Sequence, residues 1–321
     1  MRFSVEPWAP EYGAAVAGEL GQPEPNSEVD VEVPVDEWAP IDPAGEPAAT
    51  VLFVDGVQRV HGRVWIDQPD GTAALGLCAG YAAGAVRCDG RSVVVAAEVR
   101  SGLFTAATGA EPILTRHGRY EVRATAGSTP EDLWLGLQQR MGELEKEVAA
   151  GHGPAGLVVV DGPLSHRQHI PGAVGYVKTH RVHYLPVALQ PVLGRLLPGQ
   201  RTPVFLTTTT WSRYSWYLRL AGPAEHPFAG VVRAEVSADQ EASSARRLAD
   251  RIAVTLPRFA SAPHKDPRAP QNLYPIGGLE RELRHRLGDP LVLYRDLREA
   301  AAGGSQAAER VARPALDAGA E

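Results

Sequence analysis

Two short apolar runs in this chain share one pattern, Val51-Leu-Phe-Val-Asp55-Gly56 and Leu157-Val-Val-Val-Asp161-Gly162. Four apolar residues without polar alternation predict a strand buried on both faces, as in the centre of an α/β sheet. The aspartate is then expected at the strand end, where the core opens to solvent, and the glycine allows a sharp turn and close approach of a ligand. Around the first run, segments 50–55, 58–66, 72–83 and 91–100 read as strands of an antiparallel meander, with Gln68-Pro-Asp-Gly71 as a turn.

The period then changes. Thr129-Pro130-Glu131-Asp132 supplies a capping hydroxyl, a proline for the first helical position and acids for the first turn. Trp134, Leu137, Met141, Leu144 and Val148 follow at alternating spacings of three and four, one apolar stripe that ends at Gly151–Gly153. At about 100° per residue Glu145 lies nearest the buried edge and Glu143 points away. Beyond the second Asp-Gly run, strands are expected at 173–185, 203–210, 214–220 and 230–236, and helices at 187–197, 241–256 and 276–287. The pattern predicts one α/β domain with a mixed sheet flanked by helices over 49–300, an acidic, Pro-rich arm over 1–48 and a Gly/Ala-rich tail over 301–321 that frays.

The net charge of −6 changes meaning once its distribution is considered. Residues 1–50 hold eleven acids and one base, so the remaining chain carries a small positive excess. Such a body tolerates a polyanion partner without announcing one. No apolar stretch approaches the length of a membrane span, and the first residues lack a signal-peptide core, so a cytoplasmic, non-membrane protein is expected. Cys78 and Cys88 are too few for a disulfide framework or zinc site and read as free thiols.

Two carboxylates brought together at neighbouring strand ends repel each other unless a cation lies between them. Asp55, Asp161 and a glutamate from the intervening helix, Glu145 or Glu143, make the hard-oxygen set that phosphodiester hydrolysis by two divalent ions requires, one activating water and one stabilising the leaving oxygen, with Glu98 a further candidate. This is the ligand arithmetic of a ribonuclease H-like site. Lys178, in Gly175-Tyr-Val-Lys-Thr-His180, is placed to hold a phosphate or stabilise developing charge. The histidines at 166, 169, 180 and 183 lack the spacing of a zinc motif. The segment Trp211-Ser-Arg-Tyr-Ser-Trp-Tyr-Leu-Arg219 interleaves aromatics with arginines, which suits either base stacking or core packing. No P-loop, dinucleotide fingerprint or nucleophile elbow is present.

The order Val54-Asp55-Gly56, Glu143 and Glu145, Val158-Val-Val-Asp161-Gly162-Pro-Leu, Gly175-Tyr-Val-Lys178, Arg233-Ala-Glu235 and Tyr274-Pro275 resembles the NurA nuclease family over residues 50–290. That resemblance implies a ribonuclease H-like fold and a Mn2+- or Mg2+-dependent single-strand endonuclease and 5′ to 3′ exonuclease. It also implies a homodimer with a central channel and a partner HerA-type hexameric translocase. Asp55 and Asp161 would bridge the metals with Glu145 or Glu143 as the third ligand, Lys178 and Tyr217 would meet the scissile phosphate, and Arg213, Tyr217 and Arg219 would guide DNA. The family often has a histidine after Tyr-Pro, whereas here Glu280, Glu282 and His285 follow, and Val57 stands where a serine is common. The rival expectation is a non-catalytic DNA-binding adaptor of such a translocase, and a third is a hydrolase of small phosphoesters.

Overall fold

A computed structural model describes residues 26–151, 156–165, 167, 170–179, 182–222 and 228–312, with side chains as far as 302. The chain is α/β, a large mixed sheet flanked by helices. Its described residues divide into two compact units: those within 26–56, 83–98 and 142–283 make the first, and those within 57–82, 99–141 and 284–312 the second. Among the described residues no helix is long and apolar enough to cross a membrane.

The elements in chain order are β1 (Asn26–Glu28), β2 (Val51–Asp67), β3 (Ala73–Cys88), β4 (Ser92–Thr105), β5 (Ile113–Thr115), β6 (Gly118–Ala124) and α1 (Pro130–Ala150). They continue with β7 (Leu157–Asp161), β8 (Ala173–Val177), α2 (Pro191–Arg195), β9 (Phe205–Thr208), β10 (Ser212–Arg219) and β11 (Val231–Ser237), then α3 (Ala242–Thr255), α4 (Tyr274–Arg286) and α5 (Pro290–Ala312). In the first unit the strands neighbour one another in the order β1-β9-β10-β11-β8-β7-β2-β3-β4. Val51–Val54 of β2 pair in parallel with Leu157–Val160 of β7, and Val158–Asp161 pair in parallel with Ala173–Tyr176 of β8. Phe53, Val54, Val159, Val160, Val174 and Tyr176 are wholly buried, which explains why these strands show no polar alternation.

Several expectations need correction. The strand carrying Asp55 does not end there: β2 runs unbroken to Asp67, so the expected segments 50–55 and 58–66 are one strand and Gly56 makes no turn. At the second run the expectation holds, because Gly162 takes a positive φ of 87°. The strand expected at 173–185 stops at Val177, β5 and β6 went unread, and 290–312 forms a helix where a tail was expected to begin at 301. Cys78 and Cys88 lie on one strand as free thiols. His166, His169 and His180 lie outside the described residues, as does the arm before Asn26.

The remainder of the arm is bound to the first unit. β1 pairs with β9, and the Trp38 indole is buried beside Phe205 while donating to the Val29 carbonyl at 2.8 Å. Arg201, 2% exposed, grips both Glu32 oxygens at 2.8 Å and reaches Asp250 at 2.7 Å. Burial pushes the Glu32 pKa up, but the Arg201 hydrogen bonds, the Val204 N–H and the nearby arginines outweigh it and hold the carboxyl below its ordinary value.

In the second unit His61 is buried with Nδ1 2.7 Å from the Tyr120 hydroxyl, and a Cβ at Gly80 would lie 2.8 Å from its ring. Burial, with Arg59 nearby, depresses the His61 pKa to about 4.

Two predictions follow from these buried charges. Breaking a buried ion pair from one side leaves the other charge uncompensated, so Glu32→Gln should cost roughly 3 kcal/mol in urea unfolding at pH 7. Because the folded carboxyl is the stronger acid, that cost should shrink as pH falls below the unfolded value of about 4.3, where Glu32 protonates. His61 has the opposite charge and the same direction of shift. The unfolded imidazole binds protons from about pH 6.5 downward while the folded one resists, so stability should fall by up to roughly 3 kcal/mol as pH drops from 6.5 to 4. A His61→Gln variant should lose that slope in a series of pH-dependent melts.

Candidate metal centre

Three elements of the first unit deliver the carboxylates. Asp55 is a mid-strand residue of β2, 6% exposed, whose Oδ1 accepts the Gly56 N–H at 2.8 Å. Asp161 closes β7, one strand away, where the positive φ of Gly162 turns the chain and the Gly162 N–H bonds the Tyr176 carbonyl at 2.8 Å. Glu145 comes from α1 and is wholly buried, as its place at the edge of the apolar stripe predicted. Glu143, on the same helix, is exposed and does not join them; two residues along a helix is about 200° of rotation. Glu98 is exposed as well.

Cationic side chains meet this cluster. Lys178 Nζ donates to Asp161 Oδ2 at 2.7 Å and to Asn272 Oδ1 at 3.1 Å. Arg167, from the loop after β7, pairs through Nε with Glu145 Oε2 and donates through Nη1 to the Asp161 carbonyl at 2.9 Å. These contacts leave an imbalance. Asp161 Oδ1 and Glu145 Oε1 are buried without a hydrogen-bond partner. Burial, then the field of Asp161 and to a smaller degree those of Glu145 and Glu280, outweigh Lys178 and hold the Asp55 carboxyl well above its ordinary pKa. Burial also raises Glu145, with Arg167 opposing and Asp161 adding to the shift. Such carboxylates are stable only with a proton or a cation among them.

Carboxylate oxygens are the donors that hard divalent cations take, and the buried ones left without a hydrogen-bond partner here belong to Glu145 and Asp161. Among the described residues no group of three or more His, Cys, Asp or Glu is placed so that it could hold a metal ion. Two of the oxygens face Lys178 and Arg167 instead.

A second layer was not read from the sequence. Asn272, which holds Lys178, donates through Nδ2 to Asp266 Oδ2 at 2.6 Å. Arg268 joins Asp266, through Nε at 3.3 Å, to Glu280 on α4, through Nη2 at 2.8 Å. Glu280 is thus the acid of the Tyr274-Pro275 helix that bears on Asp55, while His285 is exposed and Glu282 lies on a separate shallow pocket with Tyr274 and Leu279. Nothing in the pattern of residues 260–272 marks these partners apart from a polar run just before the Tyr-Pro pair.

The residues expected to meet DNA lie elsewhere. Tyr217 is buried on β10, stacked at 6.0 Å on Phe205 in an apolar cluster with Trp38, Leu193 and Val231, and burial pushes its phenol up to about 12. Arg219 is buried and donates to the carbonyls of Ala229 at 2.6 Å and Leu193 at 3.1 Å. Arg213 is 3% exposed, 3.2 Å from Glu235, with its guanidinium 5.2 Å from the ring centroids of Tyr184 and Trp211. The expected guides are therefore core and ion-pair residues. Glu235 in turn joins Arg233 at 2.5 Å and accepts the Leu164 N–H at 2.7 Å, which anchors the loop that follows Asp161.

A contrast between adjacent glycines of α4 tests how tightly the second layer is held. A Cβ at Gly277 would lie 2.9 Å from Asn272 Nδ2, whereas one at Gly278 meets nothing within 4 Å. Alanine should gain about 1 kcal/mol of helix propensity at either position. Gly278→Ala should therefore raise the urea midpoint and Gly277→Ala should lower it. The chain matches no protein-family model and no curated protein.

Proposed function

We propose that this protein is a metal-dependent deoxyribonuclease of the NurA type, hydrolysing phosphodiester bonds in DNA with Mn2+ or Mg2+. The observation that carries the reading is that Asp55, Glu145 and Asp161, from two parallel strands and the helix between them in sequence, raise one another's pKa values, while Asp161 Oδ1 and Glu145 Oε1 are buried without a hydrogen-bond partner. The strand order β4-β3-β2-β7-β8, with β5, β6 and then α1 in the connection from β4 to β7, supports a ribonuclease H-like core. In that setting the carboxylates would hold the ion and the ion would activate water and stabilise the leaving oxygen. Lys178, fixed beside Asp161, would offer its ammonium to the phosphate. The wider reading adds single-strand endonuclease and 5′ to 3′ exonuclease activity, a homodimer, and work with a HerA-type translocase in DNA end processing or defence.

A second reading is favoured by one observation: Lys178 and Arg167 already engage Asp161 and Glu145. If a cation does not displace them, the chain is a non-catalytic adaptor on DNA. Mn2+-dependent digestion of single-stranded DNA separates the two. Asp161→Asn, which keeps the shape of the side chain and removes its charge, should lower cleavage by at least about 100-fold, in line with removal of a group that stabilises the transition state. Equal cleavage by both proteins ends the nuclease reading.

A further inference from the structure

Two hollows of the first unit lie beside the start of β4, and none of Asp55, Glu145, Asp161 or Lys178 lines either. The first has a volume of about 150 Å³ and a mostly polar lining that includes Arg91, Ser92, Arg258 and Gly90, whose φ of 89° turns the chain between β3 and β4. Among the described residues no acid lines it, and neither Arg91 nor Arg258 has an ion-pair partner, whereas Arg87 close by is matched with Asp89 at 3.4 Å. A third guanidinium extends this basic surface. A Cβ at Gly156 would lie 3.2 Å from Arg251 Nη2 and 3.0 Å from the carbonyl of Thr50, the neighbour of Ala48 and Ala49 in the wall of the hollow. Guanidiniums without acids around a small polar hollow offer the forked donors that a phosphate takes.

The second hollow is larger, about 400 Å³, and mostly apolar, with Val86, Val94, Leu279 and Tyr274 in its wall. Tyr274 is 41% exposed, and its hydroxyl accepts the Ala262 N–H at 3.2 Å. An exposed ring fixed at its far end is a platform on which a flat base stacks. Glu282 lines this hollow and not the first, so a phosphate is directed to the arginines. Ser92 belongs to both walls. Ser92 and Val94 are alternate residues of β4, about 7 Å apart, which the sugar of one nucleotide spans.

We propose that the two hollows form one nucleotide-binding site, separate from the carboxylate cluster, with the phosphate between Arg91 and Arg258 and the base stacked on Tyr274. The nucleotide is either free or a link in a single strand, and Arg251 is placed for a neighbouring phosphate of a strand. The arginines supply the positive charge, so the site requires no metal.

Isothermal titration calorimetry of the full chain in EDTA tests this apart from cleavage and from any divalent ion. The probes are deoxyadenosine monophosphate and a ten-residue oligodeoxyadenylate, at least one of which should bind the native protein. Arg91→Gln/Arg258→Gln should weaken that binding by at least about tenfold, the loss of one charge-assisted hydrogen bond or more. Tyr274→Leu should weaken it by at least about fivefold, the lower end of what one stacked base contributes, while Tyr274→Phe keeps the ring and the affinity. Binding of the oligomer alone, weakened further by Arg251→Gln, assigns the site to a strand; equal binding of the mononucleotide assigns it to a free nucleotide. No binding of either probe overturns the proposal, and so does binding that the arginine pair or Tyr274→Leu leaves unchanged. All these positions are exposed, and should Tyr274→Leu nonetheless unfold, the arginine pair still decides. The nuclease fails separately: nucleotide binding by a protein that digests no DNA leaves this site standing, and digestion without such binding removes this site alone.

Discussion

The burial of three carboxylates within reach of each other's field is the constraint on which the rest of this site depends. Removing one unpaired carboxylate from water costs several kcal/mol, and adding like charges raises the cost. Asp55 and Glu145 show the consequence in pKa values raised by burial first and neighbouring acids second. The chain offsets this with Lys178 and Arg167, one for each of the two acids they touch, and only in part. A fold that needed these side chains for stability alone would do better with apolar residues of similar volume. Stability alone therefore does not account for the arrangement.

Precision of the acids comes from the sheet. Val51–Val54, Leu157–Val160 and Ala173–Tyr176 are neighbouring parallel strands with residues buried on both faces, so Asp55 and Asp161 are carried on the buried centre of the sheet. Gly175 of β8 shows how little slack remains: a Cβ there would lie 2.9 Å from Glu235 Cγ, 3.0 Å from Leu164 Cγ and 3.1 Å from the Gly162 carbonyl. The bond from Leu164 to Glu235 ties the turn after Asp161 to β11. Sites on strands and helices hold geometry better than sites on loops; here Lys178, one residue past β8, Arg167 and the segment before α4 are the loop residues at the site.

Local periodicity made part of this visible in the sequence. The unalternated runs announced central strands, and a 3.6-residue stripe separated Glu145 from Glu143 before any coordinates. Periodicity cannot say what covers a face. On β10 the arginine and aromatic positions read equally as a DNA surface or as core, and helices, β9, β11 and the bound arm bury nearly the whole strand, so Arg213, Tyr217 and Arg219 serve packing and ion pairing. Nor does a short motif reveal strand length: Asp-Gly ends β7 but lies inside β2, because Gly56 keeps an extended backbone where Gly162 turns.

The relay from Lys178 to Glu280 was illegible for a different reason. Asn272 lies 94 residues from Lys178 in the chain, and no local pattern encodes a meeting of segments so far apart. Its chemistry nonetheless follows once they meet. An ammonium satisfied only by Asp161 would move wherever that carboxylate moved; a neutral amide on its other side holds it without adding charge. Asn272 can do this because its own Nδ2 is bound to Asp266, which fixes the amide so that its oxygen faces the lysine. An aspartate at 272 would neutralise Lys178 and leave a carboxylate 2.6 Å from Asp266, so asparagine is the residue that restrains the ammonium and leaves its charge for Asp161.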